Sequence, residues 1–144
     1  MLNLVIVYGS VHVGTSIAHH VSQLKSFEIV GESHDAEEAV HMITTKRPHI
    51  VIIDAQLKDG LGIKVLQRTK QFGLPPVVFM TAASMHSQYR HECMRQGADY
   101  FFQLPGEIDG LMNTLSQLAS LFLIAEKKTE SAATKMTGHK RESL

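Results

Sequence analysis

Five short apolar segments alternate with five amphipathic segments along this chain, and no hairpin-like or helix-only section interrupts the order. The third apolar segment, Ile50–Ile53, is the most apolar of the five. Segments that are apolar on both faces are typical of buried parallel strands. Strict alternation of strand and helix indicates a parallel sheet with right-handed crossovers. Five such units predict an α/β, flavodoxin-like doubly wound (βα)5 three-layer sandwich with strand order 2-1-3-4-5.

The helix boundaries and the domain limits follow from local signals. Asp35 is predicted to cap the second helix, with Glu38 completing a capping box. The fourth helix is predicted to begin near His86 and to end at a left-handed Gly97. The apolar pattern fails from Ala125 onward. We therefore expect one domain over residues 1–123 and a short C-terminal tail over 124–144 that is either disordered or a frayed helix.

The charge balance of the chain argues against nucleic acid and membrane surfaces as partners. Fourteen Lys and Arg residues balance fourteen Asp and Glu residues, so the formal net charge is zero. Proteins that bind phosphate backbones or anionic lipids normally carry a basic excess. Cys93 is the single cysteine, which excludes an internal disulfide, and the first apolar run, Leu4–Val7, is too short to span a membrane. We expect a cytoplasmic protein.

Polar residues at the ends of the predicted strands mark the expected site. In open α/β sheets, ligands bind beyond the carboxyl ends of the strands, which nominates Tyr8, Gly9, Asp54, Thr81 and the residues after Phe102. Asp54 directly follows the most apolar strand, where it can act as a nucleophile or a metal ligand. The alternative is that its side chain only caps the following loop.

Three separated stretches resemble the receiver domain of two-component response regulators, in register over residues 1–123. They are Arg47–Gly62, Val77–Ala82 and Gly97–Phe101. The resemblance implies that Asp54 accepts a phosphoryl group from a sensor histidine kinase. It also implies that Thr81 is the switch hydroxyl and that Phe101 is the switch aromatic. The expected function is a stand-alone signalling module and not an enzyme.

The chain departs from the receiver pattern at four positions. Tyr8 and Gly9 stand where receivers carry the acidic pair that holds Mg²⁺, and Leu104 stands where they carry a lysine. Lys58 replaces the usual proline after the phosphoacceptor, whereas the proline that follows the lysine position is retained as Pro105. The resemblance is therefore to an atypical, degenerate receiver.

These departures leave a poor set of magnesium ligands. Asp54 and the backbone carbonyl of Gln56 remain, whereas Mg²⁺ prefers octahedral oxygen ligands that include carboxylates. We expect weak or absent Mg²⁺ binding, no other cofactor, and slow or absent phosphorylation, because phosphoryl transfer depends on charge stabilisation. Lys58 is either a substitute cation or a solvated loop lysine. Tyr8 either covers Asp54 or is an ordinary strand-end tyrosine.

The segment Gly9–Ser16 supports an alternative function. Its glycines have the spacing of a phosphate-binding loop, although Thr15 stands in the position of the essential lysine. Such turns bind phosphate at helix N-termini, which allows a flavodoxin-like protein that binds FMN or a nucleotide. In the simpler interpretation, Gly9 and Gly14 relieve a tight turn and close helix packing.

The last helix ends with more apolar residues than one buried face requires. Leu121–Ile124 is apolar on every side. This surplus favours a partner surface, such as a homodimer formed through this helix, or a surface covered by the tail. The nine histidines include no pair at the i, i+4 spacing of a helical zinc site, so we interpret them as surface residues. Cys93 is interpreted as a packing residue.

Overall fold

A five-stranded parallel sheet forms the centre of the molecule, in a computed structural model that describes residues 1–83 and 87–142. The strand order is β2-β1-β3-β6-β7, which confirms the predicted doubly wound topology. Two short antiparallel strands, β4 and β5, follow β3 and were not predicted. The strands are β1 (Leu2–Val7), β2 (Phe27–Ser33), β3 (Ile50–Asp54), β4 (Gln56–Leu57), β5 (Gly60–Leu61), β6 (Val77–Ala82) and β7 (Tyr100–Gln103).

Helices cover both faces of the sheet and produce two separate hydrophobic cores. They are α1 (Val11–Ser22), α2 (Ala36–Lys46), α3 (Gly62–Thr69), α4 (Ser87–Arg95) and α5 (Ile108–Glu142). One core lies between the sheet and α2, α3 and α4. The other lies between the sheet and α1 and α5. The strands alternate their side chains between these cores, which is why their sequences are apolar throughout.

The predicted helix boundaries are mostly confirmed. Asp35 accepts hydrogen bonds from the N–H groups of Glu37 and Glu38, as an N-cap does. The hydroxyl of Ser33 accepts from the Asp35 N–H, so the predicted return bond from the Glu38 side chain is not made. Gly97 has φ +105°, which confirms the left-handed helix end. The predicted start of the fourth helix, at His86, lies outside the described residues.

Asp99 fixes the start of β6, the strand that carries Thr81. Its carboxylate accepts hydrogen bonds from the Val78 N–H and from Lys70 Nζ, each at 2.8 Å. The second contact is an ion pair between α3 and the loop before β7. These bonds hold β6 and β7 together at the end of the sheet opposite the expected site.

The last helix is much longer than the apolar pattern predicts. The structure continues α5 to Glu142, for 35 residues, where we expected a disordered tail or a frayed helix over 124–144. Helix-forming Ala, Glu and Lys residues dominate the extension, and neither Gly nor Pro occurs between Leu111 and Thr137. Apolar periodicity reports packing against a core, so it does not mark where an unpacked helix ends.

The first part of α5 also has the length and composition of a membrane span. Residues Ile108–Thr129 have a mean hydropathy of 1.3. The core helix of a soluble domain can have the same length and hydropathy. In α5, Leu111, Leu115 and Ala119 are buried against the sheet. The side chains of Leu121, Leu123 and Ile124 are exposed, so the predicted surplus of apolar residues is present on the surface.

Candidate functional site

The carboxyl ends of β3 and β6 bring Asp54 and Thr81 together. The two residues are partners in the parallel register of these strands. Beyond the strand end, the Ala55 N–H donates to the Thr81 carbonyl at 2.7 Å, which keeps the two chains aligned. The side chains of both residues line one cavity at this edge of the sheet. The site predicted from the strand ends is therefore assembled around Asp54.

Opposing effects act on the Asp54 carboxylate. Burial raises its pKa, whereas the nearby backbone N–H groups of Gly9, Gln56 and Ala55 lower it, and burial has the larger effect. Among the side chains that the structure describes, no lysine or arginine forms an ion pair with Asp54.

Two glycines allow the loops around Asp54 to approach each other closely. A side-chain carbon at Gly9 would overlap the backbone carbonyl oxygen of Gln56. A side-chain carbon at Gly62 would likewise overlap the backbone carbonyl oxygen of Asp54, and the Gly62 N–H donates to the Ala55 carbonyl at 2.8 Å. The β1–α1 loop is thus in direct backbone contact with the loop that follows the acidic residue.

Tyr8 packs against α1. A side-chain carbon at Gly14 would lie 2.6 Å from the Tyr8 ring, so the ring fits because residue 14 has none. The ring centroids of Tyr8 and His34 are 6.1 Å apart. Tyr8 is absent from the residues that line the two cavities beside Asp54, so it does not cover the carboxylate. Close packing thereby explains both glycines of Gly9–Ser16 that suggested a phosphate-binding loop.

Two neighbouring cavities adjoin Asp54 and also share Val13, Ala82 and Ala83 in their linings. A cleft of about 460 Å³ is also lined by Gln56, Lys58 and Tyr89. A second cavity of about 300 Å³ is also lined by Thr81 and by residues of α1 and of the β7–α5 loop, including Leu104. Lys58 therefore lies on the cleft, without an ion pair to Asp54, whereas Leu104 lies on the second cavity.

Phe101 does not reach the edge occupied by Asp54. It is 4% exposed and packs in the core beneath α4. Its ring centroid is 6.3 Å from that of Tyr89, and the Arg90 guanidinium lies 5.7 Å from the Phe101 centroid. The Tyr89 hydroxyl donates to the Ala55 carbonyl at 3.3 Å. Tyr89 therefore connects Phe101 to the residue after Asp54.

Sequence reasoning missed Tyr89, although a signal was present. Tyr89 precedes Cys93 by four residues and so shares its helix face. Cys93 is fully buried in the core, which confirms its interpretation as a packing residue. Burial raises the pKa of the Cys93 thiol and also that of the Tyr89 hydroxyl. Both groups are thus in their neutral forms at neutral pH.

The oxygen ligands at this edge do not fit a magnesium ion. Asp54 is the one carboxylate that lines the cleft and the second cavity. The Gln56 carbonyl, the other ligand that the sequence suggested, is in contact with the Gly9 backbone. Within residues 1–83 and 87–129, whose side chains the structure describes, no group of three His, Cys, Asp or Glu side chains is arranged to hold a metal ion. Mg²⁺ is usually bound through one or two carboxylates together with phosphate oxygens and waters, and this edge offers a single carboxylate.

Most of this chain matches the model of one protein family. The model of the response regulator receiver domain matches residues 11–116. The chain belongs to the receiver domain family. Receiver domains are signalling modules that interact with histidine kinases and other signalling proteins. Their place in two-component systems agrees with the resemblance seen in the sequence.

Curated relatives of this receiver are longer proteins. The chain is 27% identical over 118 residues to the sensory transduction protein LytT of Bacillus cereus, covering 81% of this chain and 47% of LytT. It is 26% identical over 77 residues to the virulence regulator BvgA of Bordetella pertussis, covering 54% of this chain and 37% of BvgA. The chain thus spans about half or less of the length of these relatives.

Solved structures confirm the receiver fold. The receiver domain of the putative response regulator NarL from Mycobacterium tuberculosis superposes with a TM-score of 0.75 at 18% identity, over 83% of this chain and 96% of that domain. The response regulator domain of Thermotoga maritima CheB gives 0.72 at 18% identity, over 84% and 95%. At these identities the likeness concerns the fold alone.

Proposed function

We propose that this chain is an atypical receiver module of a two-component phosphorelay, which acts mainly through protein–protein contacts and carries Asp54 as its candidate phosphoacceptor. The observation that supports this most is the position of Asp54 at the carboxyl end of β3, in register with Thr81. The module is atypical because Tyr8, Gly9 and Leu104 stand at the positions where the resemblance implies the acidic pair and the lysine.

The expected chemistry is a slow phosphoryl transfer. A carboxylate oxygen of Asp54 attacks the phosphorus, the bond from phosphorus to the donor breaks, and its electron pair leaves with the donor. The incoming group is anionic, and no described cationic side chain forms an ion pair with the carboxylate that meets it. Loss of one preorganised stabilising group typically lowers a rate by about 10²–10³. Lys58, which lines the same cleft, is the candidate substitute cation.

A relay from this site would pass through buried contacts. Thr81 would contact the phosphoryl group, Phe101 would change its position, and Tyr89 would couple the two, because its hydroxyl binds the Ala55 carbonyl and its ring packs on Phe101. Such a relay needs an element with two discrete arrangements. The α4 surface above Phe101 is the expected output surface.

A sensor histidine kinase or another signalling protein is the proposed partner, in the cytoplasm. One structural neighbour is described as a DNA-binding response regulator from Staphylococcus aureus, and BvgA as a transcription regulator. Those descriptions concern proteins with their own output regions. The zero net charge of this chain gives it no electrostatic attraction to nucleic acid or to anionic membranes. The module is expected to be neither an enzyme nor a DNA-binding domain.

Labelling with acetyl phosphate tests the acceptor. We expect slow labelling of the full chain at a rate that Mg²⁺ does not change, and its loss in Asp54→Ala. Asp109→Ala is the matched control, because Asp109 is an exposed acid outside both cavities and should label like the wild type. Labelling that persists in Asp54→Ala contradicts the acceptor, and rapid Mg²⁺-dependent labelling contradicts the atypical classification.

The exposed end of α5 is the proposed homodimer contact. Leu121 and Ile124 are 61% and 51% exposed, and their spacing places them on one helix face. We expect a concentration-dependent dimer in sedimentation, weakened by Leu121→Glu. Leu74→Glu is the control, because Leu74 is 96% exposed and lies elsewhere on the surface. A monomer at every concentration contradicts the dimer, and equal weakening by both variants contradicts this location.

A further inference from the structure

A third cavity, of about 580 Å³, lies at the end of the sheet opposite Asp54. It is bounded by the last turn of α2, by the loop that leads into β3 and by the loop that leads into β6. None of its lining residues lines either cavity beside Asp54, so the space is separate from the candidate phosphorylation site. Its volume is within the range of small-molecule sites, about 300–1,000 Å³.

Apolar side chains, three of them rings, form the wall of this third cavity. They are Ile43, Pro48, Phe72, Leu74 and Pro76. Phe72 packs on its inner side against the core that α2 and α3 cover, whereas Leu74 is 96% exposed. That core is therefore open to solvent at this end, and an apolar body in the cavity would be removed from water. An aromatic body would gain a ring contact with Phe72 in addition.

Arg47 sets the charge of the ligand. It is the one charged residue that lines the cavity, and its side chain is exposed. Thr44, the other polar side chain of the lining, already donates its hydroxyl to the Val40 carbonyl at 2.7 Å. Within the part of the chain that the structure describes, the Arg47 guanidinium has neither an ion pair nor a hydrogen bond. A guanidinium matches a carboxylate through two parallel N–H···O bonds.

The neighbouring charges at this end of the molecule do not cancel that of Arg47. Lys70 and Asp99 pair with each other at 2.8 Å. The C-terminal ends of α2 and α3 each contribute about half a negative charge, which Lys46, in the last turn of α2, offsets. One positive charge remains, which suits a monoanion better than a phosphate group with nearly two negative charges.

The backbone of Arg47 shows that an arginine is unfavourable at this point of the fold. Arg47 ends α2 with φ 45° and ψ 60°, in the left-handed region that glycine or asparagine usually occupies. It also precedes Pro48, which restricts its backbone further. Among the non-glycine residues that the structure describes, it is the one with a positive φ. Strained residues cluster at functional sites, so the strain indicates a role for the guanidinium.

We propose that the third cavity binds an aromatic monocarboxylate, with its carboxylate on the Arg47 guanidinium and its ring against Pro48, Phe72 and Pro76. The site goes beyond the proposed function and does not rest on it, because no residue of the Asp54 site takes part. A ligand there contacts both the loop before β3 and the loop before β6. It therefore joins the starts of the two strands that carry Asp54 and Thr81.

Titration of the full chain with sodium 2-naphthoate, followed by backbone amide NMR at constant pH and ionic strength, tests the proposal. For a ligand of about 13 heavy atoms we expect a dissociation constant of roughly 0.1–1 mM, with saturable shifts that centre on residues 43–49 and 72–77. 2-Naphthalenemethanol has the same rings and no charge, and should bind at least about tenfold more weakly. Octanoate has the charge and no ring, and should bind about threefold more weakly.

Variants at adjacent positions locate the carboxylate. Arg47→Gln removes the charge and should weaken binding at least about tenfold. Lys46→Gln is the matched control, because it removes the same charge one residue away and outside the cavity, and should weaken binding no more than about twofold. Arg47→Gly should also lose binding but raise Tm by about 2–4 °C, since glycine accepts the left-handed backbone. Amide spectra establish that each variant is folded before it is titrated.

Several results would overturn the proposal. They are the absence of saturable shifts in the wild type, equal weakening by Arg47→Gln and Lys46→Gln, and equally tight binding of 2-naphthalenemethanol. Octanoate binding as tightly as 2-naphthoate would contradict the aromatic class of the ligand. A lower Tm for Arg47→Gly would show that the arginine stabilises the loop and is not held there for a ligand. Shifts centred on residues 54–57 and 81–83 would place the ligand at the Asp54 site instead.

Discussion

Two regions adjoin Asp54: a packed side, where the loops of Gly9 and Gln56 touch backbone to backbone beside the cleft of about 460 Å³, and a cavity side, where Leu104 lines the second cavity. On the packed side, Gly9 contacts the Gln56 carbonyl and Tyr8 lies on Gly14. On the cavity side, Leu104 adjoins a space of about 300 Å³ that is also lined by Thr81, whose buried hydroxyl has no hydrogen-bond partner. Both sides have lost residues that the family resemblance implies. The loss of a charged side chain can therefore be followed by close backbone packing, as at Gly9, or by an open cavity, as at Leu104.

The largest expected change in the free energy of unfolding comes from placing a carboxylate at Gly9, on the packed side. Gly9→Asp places a side-chain carbon on the Gln56 carbonyl oxygen and a second negative charge beside Asp54. We expect the free energy of unfolding to fall by about 2–4 kcal/mol in urea denaturation. Ser10→Asp is the control, since Ser10 is the exposed N-cap of α1, where an acid is favoured. Equal stability of the two variants would show that the loops separate easily.

A second experiment separates helix propensity from packing on the same side. In an ordinary helix, Gly→Ala stabilises by about 0.5–1 kcal/mol. Gly14→Ala should instead lower the free energy of unfolding by roughly 1–2 kcal/mol, because the new carbon lies 2.6 Å from the Tyr8 ring. In the Tyr8→Ala background, Gly14→Ala should recover the ordinary gain. A cost that persists without the Tyr8 ring contradicts this packing.

The buried charge between the two sides should itself destabilise the protein. Because the pKa of Asp54 is raised in the folded state, the folded protein holds its proton more tightly than the unfolded chain does. Stability then falls as pH rises from the ordinary aspartate pKa through the raised one, and the penalty is complete above it. Asp54→Asn should raise Tm by about 2–4 °C at pH 7. The gain should disappear in acid, and a gain that is equal at every pH would exclude titration as its cause.

The smallest change in stability is expected on the cavity side. Leu104→Lys has room for the longer chain, whose methylenes can replace the apolar contacts of leucine. We expect the free energy of unfolding to change by no more than about 1 kcal/mol. The pKa of Asp54 should fall, as followed by carboxyl-carbon NMR, with Leu104→Met as the uncharged control. A large loss of stability or an unchanged pKa would mean that the cavity does not extend to the carboxylate.

The fold and the acidic residue were predictable because their signals are local. Alternating apolar strands fix the sheet, and the rule for carboxyl ends places Asp54 and Thr81 at one edge. The close approaches of Gly9 and Gly14 were not predictable in detail, because the atoms they touch, on Gln56 and Tyr8, are neighbours only after folding. For that reason, the sequence alone left open whether these glycines form a phosphate-binding loop or relieve a tight turn and close helix packing.

Two other features were beyond sequence reasoning for different physical reasons. The cavity results from the shapes of several separate segments, and no single residue type signals it. The length of α5 depends on helix propensity in a region with no core to pack against, so the loss of apolar periodicity after Ile124 misplaced its end. Sequence patterns predict well which residues are buried. They predict poorly where a cavity forms and where a helix ends that has no core to pack against.

The length of α5 gives the molecule a lever. At 1.5 Å per residue, the part beyond Ser120 extends for about 33 Å, about twice the roughly 17 Å that separates Ile108 from Ala119, the last buried residue of α5 among those whose side chains are described. A tilt at the base of such an arm is magnified at its tip in proportion to that reach. Small tilts at Ile108, where α5 begins, would therefore become displacements of several ångströms at the far end of the helix.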